Sequence, residues 1–207
     1  MAMQTIFDIF NLLYSNTNKY VFKKYDKYVI MMSKLDDTIT NEDRLYFVVN
    51  DRTGNLQKTG IYRKETALFR GNKFFVEKII DVYTLEEVDE VEPVFLPRYL
   101  DAKQAEDAEL KYVVGSIVED KEYDTTINDV YSKGIHYFLT LEPAFYYDFD
   151  INKIENGIYK EYYCYNGLLR FECHIKNGNL DGSYKRWNDD GKVLVDKEYT
   201  KPTFDHK

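Results

Sequence analysis

Apolar and polar positions along the chain alternate in short runs, and most of those runs have a strand-like period. Tyr20 to Tyr25 and Lys27 to Leu35 read as strands rich in Tyr, Val and Ile. Leu45 to Asn50 reads as another, ending at the turn residues Asp51 to Asn55, with Lys58 to Lys64 returning antiparallel. Arg70-Gly71-Asn72-Lys73 reads as a turn and Phe74 to Tyr83 as the strand after it. Lys111 to Glu119 reads as one strand containing Gly115. Helical spacing is rarer. Ile6, Phe7, Ile9, Phe10, Leu12 and Leu13 suit a short amphipathic helix over Met1–Tyr14, and a second short helix fits Ala102 to Leu110.

Gly134 to Tyr147 is a different kind of unit. Ile135 to Leu139 is an apolar strand after a glycine turn. Thr140 then stands where a hydroxyl can cap a helix, and Pro143 falls in the first turn, where a missing N–H costs little.

The last quarter repeats itself. Gly157, Tyr159, Lys160 and Tyr162 recur as Gly182, Tyr184, Lys185 and Trp187. Gly167, Phe171 and Ile175 recur as Gly191, Val195 and Tyr199. Each unit is a strand, an Asn-Gly or Asp-Gly turn and a second strand, since those dipeptides accept the positive φ of tight hairpins. Asn177-Gly178-Asn179 turns the chain between units. Successive hairpins are expected to stack, each burying an aromatic row against the next.

These elements predict an α+β protein dominated by antiparallel sheet. A β-rich domain with short helices spans 1–150, a hairpin-repeat sheet spans 151–200, and 201–207 forms a tail. The 207 residues suffice for a real core, and the 16% aromatic content comes mostly from 20 Tyr and 13 Phe.

Charge narrows the choice of partners. The net −8 is concentrated in residues 81–129, with four basic and fifteen acidic side chains, and reads as a solvated belt. Broad nucleic-acid binding is not expected, because phosphate affinity needs clustered Lys and Arg. No apolar run approaches the length of a membrane span and no leader pattern is evident, so a soluble intracellular protein is expected.

Candidate chemistry is sparse. His136 alternates away from Ile135 and could line a cleft with Thr140, although a packing role is the simpler reading. Cys164 and Cys173 lack the paired short spacings of a zinc site, and adjacent Cys173 and His174 point to opposite faces of a strand. The sequence contains no P-loop, no Gly-x-Gly-x-x-Gly and no Gly-x-Ser-x-Gly, so neither a metal nor a cofactor is expected. Tyr159, Tyr162, Tyr184 and Trp187 are the remaining candidates. They either form the core of the repeat or present an aromatic surface to a protein partner or to a second copy.

Gly157-Ile158-Tyr159, Gly178 to Tyr184, and Trp187 with Gly191 resemble the MORN-variant repeat, which implies a rigid β platform for protein or lipid contacts. Tyr112 to Gly115, Gly134 to Phe138, Ala144 and Tyr146 resemble an uncharacterised domain family of mimivirus-type giant DNA viruses, over about residues 60–149. Together these imply a non-enzymatic interaction or structural protein of the host cytoplasm or virion. The Gly134–Phe138 strand with Ala144 and Tyr146 is also similar to the glycine–aromatic strand and helix of ADP-ribosyltransferases. That likeness implies an enzyme or nucleotide binder with a cleft beside His136. The His-Gly element and the late catalytic Glu of that family are not evident.

Overall fold

A computed structural model describes residues 19–51, 54–58, 62–93 and 110–200. The helix expected over Met1–Tyr14, nearly all of the one over Ala102–Leu110, and the tail with His206 lie outside the described residues.

Within them the fold is α+β and mostly antiparallel sheet. Six strands form the main sheet: β1 (Tyr20–Tyr25), β2 (Tyr28–Ser33), β5 (Leu68–Gly71), β6 (Lys73–Asp81), β9 (Ile117–Glu119) and β10 (Ile135–Phe138). Their order is β5-β10-β1-β2-β6-β9, with every neighbouring pair antiparallel. Strands β3 (Phe47–Asp51) and β4 (Gly54–Lys58) make a separate hairpin, and β7 (Glu90–Val91) pairs with β8 (Tyr112–Val113).

Three expectations are corrected. The return strand after β3 is Gly54–Lys58, and Lys64–Thr66 forms a 3-10 turn. Arg70–Lys73 is no hairpin turn. Strands β5 and β6 flank Asn72 and diverge, with β10, β1 and β2 between them. Asn72 is held on Ile39 instead, its Oδ1 accepting from Ile39 N at 2.8 Å and its N–H donating to Ile39 O at 3.0 Å. The single strand expected over Lys111–Glu119 breaks at Gly115, which adopts φ +79°, and its halves β8 and β9 join different sheets.

The main sheet is buried on both faces at its centre, which explains the unbroken apolar run Val29-Ile30-Met31-Met32 in β2. Ile30, Met32, Phe74, Val76 and Tyr137 share one core cluster. Val29, Met31, Ile80 and Val82 belong to another, with helix α1 (Leu141–Tyr146) and the repeat, through Phe145, Tyr159, Cys173 and Ile175. Side chains on both sides of residue 150 thus share one hydrophobic cluster.

The repeat forms a four-stranded meander: β11 (Asn156–Tyr162), β12 (Leu169–Lys176), β13 (Asn179–Trp187) and β14 (Val193–Tyr199). Lys176 pairs with Asn179 across Asn177-Gly178, both of which have positive φ, +50° and +70°. The hairpins do not stack face to face. That tight turn hydrogen-bonds the second unit to the edge of the first, so both lie in one sheet and the aromatic row crosses it. Tyr159, Phe171, Tyr184 and Tyr199 meet edge to face, with centroids 5.9, 5.0 and 5.5 Å apart in turn.

The Asn166-Gly167 turn plugs the repeat into the main sheet's connections. Asn166 O accepts from Arg63 N at 2.7 Å, and Cys164 O accepts from Leu68 N at 2.8 Å. Arg44, buried against the Phe69 ring at 4.6 Å, donates to Leu68 O and to Tyr165 O. A Cβ on Gly167 would lie 2.2 Å from Arg63 O, so only glycine permits this approach.

Candidate functional site

His136 and Thr140, the residues expected to line a cleft, are both engaged elsewhere. Half-buried His136 places Nε2 3.2 Å from Val130 O, and its carbonyl accepts from Lys23 Nζ at 3.2 Å. Thr140 occupies the N-cap position with extended backbone, yet its hydroxyl donates to Glu65 O at 2.8 Å and leaves the helix uncapped by a side chain.

The partner of His136 across the sheet is Arg70, which is fully buried. Its Nε donates to Asp129 O at 2.8 Å, Nη1 to Asp124 O at 2.8 Å and Lys133 O at 2.6 Å, and Nη2 to Thr126 O at 2.7 Å. One guanidinium thus gathers the polar loop between β9 and β10 and stacks on Tyr123, 5.3 Å from the ring centroid. Asp124 in that loop is held at about 2, chiefly by the Ser132 hydroxyl it accepts from. The surroundings of His136 are a strapped loop.

A cleft of about 460 Å³ opens elsewhere, between the exit of α1 and strands β11 and β12. Local chain chemistry builds it. Pro143 lies in the helix's first turn, as expected. Beyond the helix, Asp148 takes the left-handed conformation at φ +52°, which short acidic side chains tolerate better than most. That reversal sends Phe149 back to stack on Phe145 with centroids 5.0 Å apart and leaves Asp148 exposed at the lip. Asp150 follows, accepting from Asn152 N at 3.0 Å to start a 3-10 turn at Ile151–Lys153.

The helix side and the repeat side close on each other through tyrosines. Tyr146 donates to Ile158 O at 2.8 Å, satisfying a carbonyl on the outer edge of β11. Its ring meets that of Tyr159 edge to face, with centroids 5.7 Å apart. Tyr159 donates to Glu161 Oε1 at 3.2 Å and approaches Phe149 O at 3.4 Å. Tyr162 donates to Glu142 Oε1, which also accepts from Lys160 Nζ at 2.9 Å. Burial holds all three phenols above their ordinary range, with neighbouring Glu142 or Glu161 adding to the effect. Arg170 lies 3.6 Å from Glu161 at the same rim. Cys164 lines the back, its thiol pushed up to about 12 by burial.

Of the four aromatic candidates, Tyr159 is 5% exposed and forms core, while Tyr162 lines the cleft. Tyr184 and Trp187 are half-buried on β13, and the Trp187 carbonyl accepts from Tyr163 Oη at 2.9 Å. Phe138, Tyr147, Asp148, Asp150 and Arg170 were not among the expected site residues. The legible signal was the Tyr-Tyr-Asp sequence closing the helix, with Asp148 at the position where a left-handed residue is common. Among the described residues no three His, Cys, Asp or Glu side chains gather in a way that could hold a metal. No helix among them is long and apolar enough to cross a membrane. No protein family, curated protein or solved structure matches the chain.

Proposed function

We propose that this chain is a non-enzymatic interaction protein whose repeat sheet contacts a protein partner. One observation carries this reading: the outer hairpin β13–β14 leaves apolar groups in solvent. Val193 is 49% and Leu194 58% exposed, and Val193 pairs directly with Trp187. Strand β14 is also the sheet's free edge among the described residues. Trp is among the residue types most enriched as interface anchors. The MORN-like pattern of residues 157–199 supports a rigid platform. The likeness of residues 60–149 to a giant-virus domain supports a role in the host cytoplasm or virion. The test is affinity capture from infected-cell extract with wild type and with Trp187→Ala/Val193→Ser. A stoichiometric partner retained by wild type and lost by a folded variant supports the platform. Identical captures from both overturn it.

A further inference from the structure

We infer that Asp148 and Phe149 form a short flap over the Lys24 side chain, exchanging between this closed arrangement and a lifted one in which Asp148 pairs with the Lys24 ammonium. Closure leaves that ammonium in a poor setting. Lys24 is 8% exposed, and its Nζ has no hydrogen-bond partner. It lies 5.2 Å from the Phe149 centroid and 5.9 Å from that of Phe145. A buried charge without hydrogen bonds is costly, and ring faces recover only part of the cost. Burial accordingly lowers the Lys24 pKa to about 8.

The carboxylates that act on this ammonium are Asp148, Asp26 and Asp81, from three surrounding segments. Asp81 on β6 is already committed, to Lys27 at 2.8 Å and to the N–H groups of Tyr83 and Thr84. Asp26 is fixed in the β1–β2 turn at φ +51°. Asp148 acts most strongly, and it is the one carried by the segment that covers Lys24.

The flap has fixed points on either side. Tyr147 N donates to Pro143 O at 3.0 Å, and Asp150 accepts from Asn152 N at 3.0 Å. Between them Asp148 sits in the left-handed region at φ +52°, a conformation that costs a non-glycine residue energy. Phe149 is kept down by Phe145, stacked at 5.0 Å, and by Tyr83 at 5.5 Å. Its N–H donates to Tyr146 O at 3.2 Å, and the Tyr159 hydroxyl reaches its carbonyl only at 3.4 Å. Ring contacts favour closure, whereas the unpartnered ammonium and the left-handed residue favour lifting. Opposed effects of this kind populate a minor state. Lifting returns Lys24 toward its ordinary 10.5, so the lifted form holds the proton better and is favoured at low pH.

Methyl ¹³C relaxation dispersion at Ile151 δ1, beside the flap, reads this exchange in the full chain without exchangeable protons. At pH 6.5 exchange on the microsecond-to-millisecond scale is expected. At pH 9.5 the lifted population is expected to fall about thirtyfold, by linkage between pKa values of about 8 and 10.5, and the dispersion to vanish. Lys24→Met is expected to abolish the dispersion at both pH values. Asp148→Asn tolerates the same backbone and is expected to reduce the lifted population several-fold. A flat profile in wild type at pH 6.5, equal dispersion at both pH values, or dispersion that survives Lys24→Met overturns the flap. An unchanged profile in Asp148→Asn overturns the lifted arrangement, because Asp148 would then not be the residue that receives the ammonium.

Discussion

The two large sheets are built from similar residues and solve the problem of burial differently. The six-stranded sheet is covered on both faces at its centre, where four consecutive residues of β2, Val29 to Met32, are fully buried. The repeat sheet is anchored at one side and spends its burial there. Tyr159 on β11 is 5% exposed and Cys173 on β12 is fully buried, while β14 is mostly exposed. A sheet buried on both sides is a scaffold. A sheet whose burial declines strand by strand ends in a surface available for contact. The sheets differ in their polar groups as well, because the first encloses a whole guanidinium and the second keeps its charges at rims.

The sharpest way to break that comparison is to remove the enclosed guanidinium. Arg70→Met removes the donor shared by the carbonyls of Asp124, Thr126, Asp129 and Lys133 at the half-buried base of the loop, where Lys133 O keeps the Asp124 N–H and Thr126 O the Asp129 N–H. A loss of about 4 kcal/mol is expected in urea unfolding, with early amide exchange across residues 120–134. Retention of wild-type stability would mean that the loop is held by something other than Arg70.

The aromatic row tests the gradient within the repeat. Tyr159→Ala is expected to cost about 3 kcal/mol, as a large ring lost from a core, and Tyr199→Ala at the outer strand less than about 1 kcal/mol. Equal costs would show that the sheet has no buried and exposed ends.

Two glycine turns refine this further. Gly167 and Gly178 have nearly the same φ, +71° and +70°, but a Cβ at Gly167 meets Arg63 O at 2.2 Å while one at Gly178 meets nothing within 4 Å. Gly178→Ala is expected to cost about 1 kcal/mol, the backbone penalty alone. Gly167→Ala is expected to cost about 3 kcal/mol, because the turn must also withdraw from its dock. The difference between them measures what docking contributes.

Much of this was legible in the sequence where the signal is local. Strands β1, β2 and β6 follow runs of Tyr, Val and Ile, the hairpins follow Asn-Gly and Asp-Gly, and the strand–helix unit follows Gly134 and Pro143. The failures are non-local. Arg70 reads as part of a polar turn because the carbonyls that bury it lie more than fifty residues further on. Strand β5 pairs with β10, again more than sixty residues away, so its short run gave no hint of its place. Gly115 breaks a strand because its halves find different partners, β7 and β6. The cleft escaped for the same reason: Tyr162 was visible as an aromatic repeat position, but Glu142, which accepts its proton, comes from the preceding helix.

Lys24 offers the smallest and most selective test, because it lies where the two sheets share a core. Its Nζ is buried with no hydrogen-bond partner, against the Phe145 and Phe149 rings. Burial lowers its pKa to about 8, against the opposing pull of Asp148, Asp26 and Asp81. A fall from 10.5 to about 8 corresponds to roughly 3 kcal/mol of disfavoured charge at neutral pH, an upper bound on the gain from removing it. Lys24→Met keeps the length and the ring contacts and is expected to raise stability by about 1 kcal/mol at pH 7. Between pH 8 and 10.5 the folded wild type binds fewer protons at Lys24 than the unfolded chain does, so its stability rises with pH over that window. The variant lacks this rise. Its advantage is therefore expected to shrink steadily from pH 7 to pH 10 in parallel urea titrations. An advantage that stays constant with pH would assign the effect to packing, and the Lys24 charge would then carry no energetic penalty in the shared core.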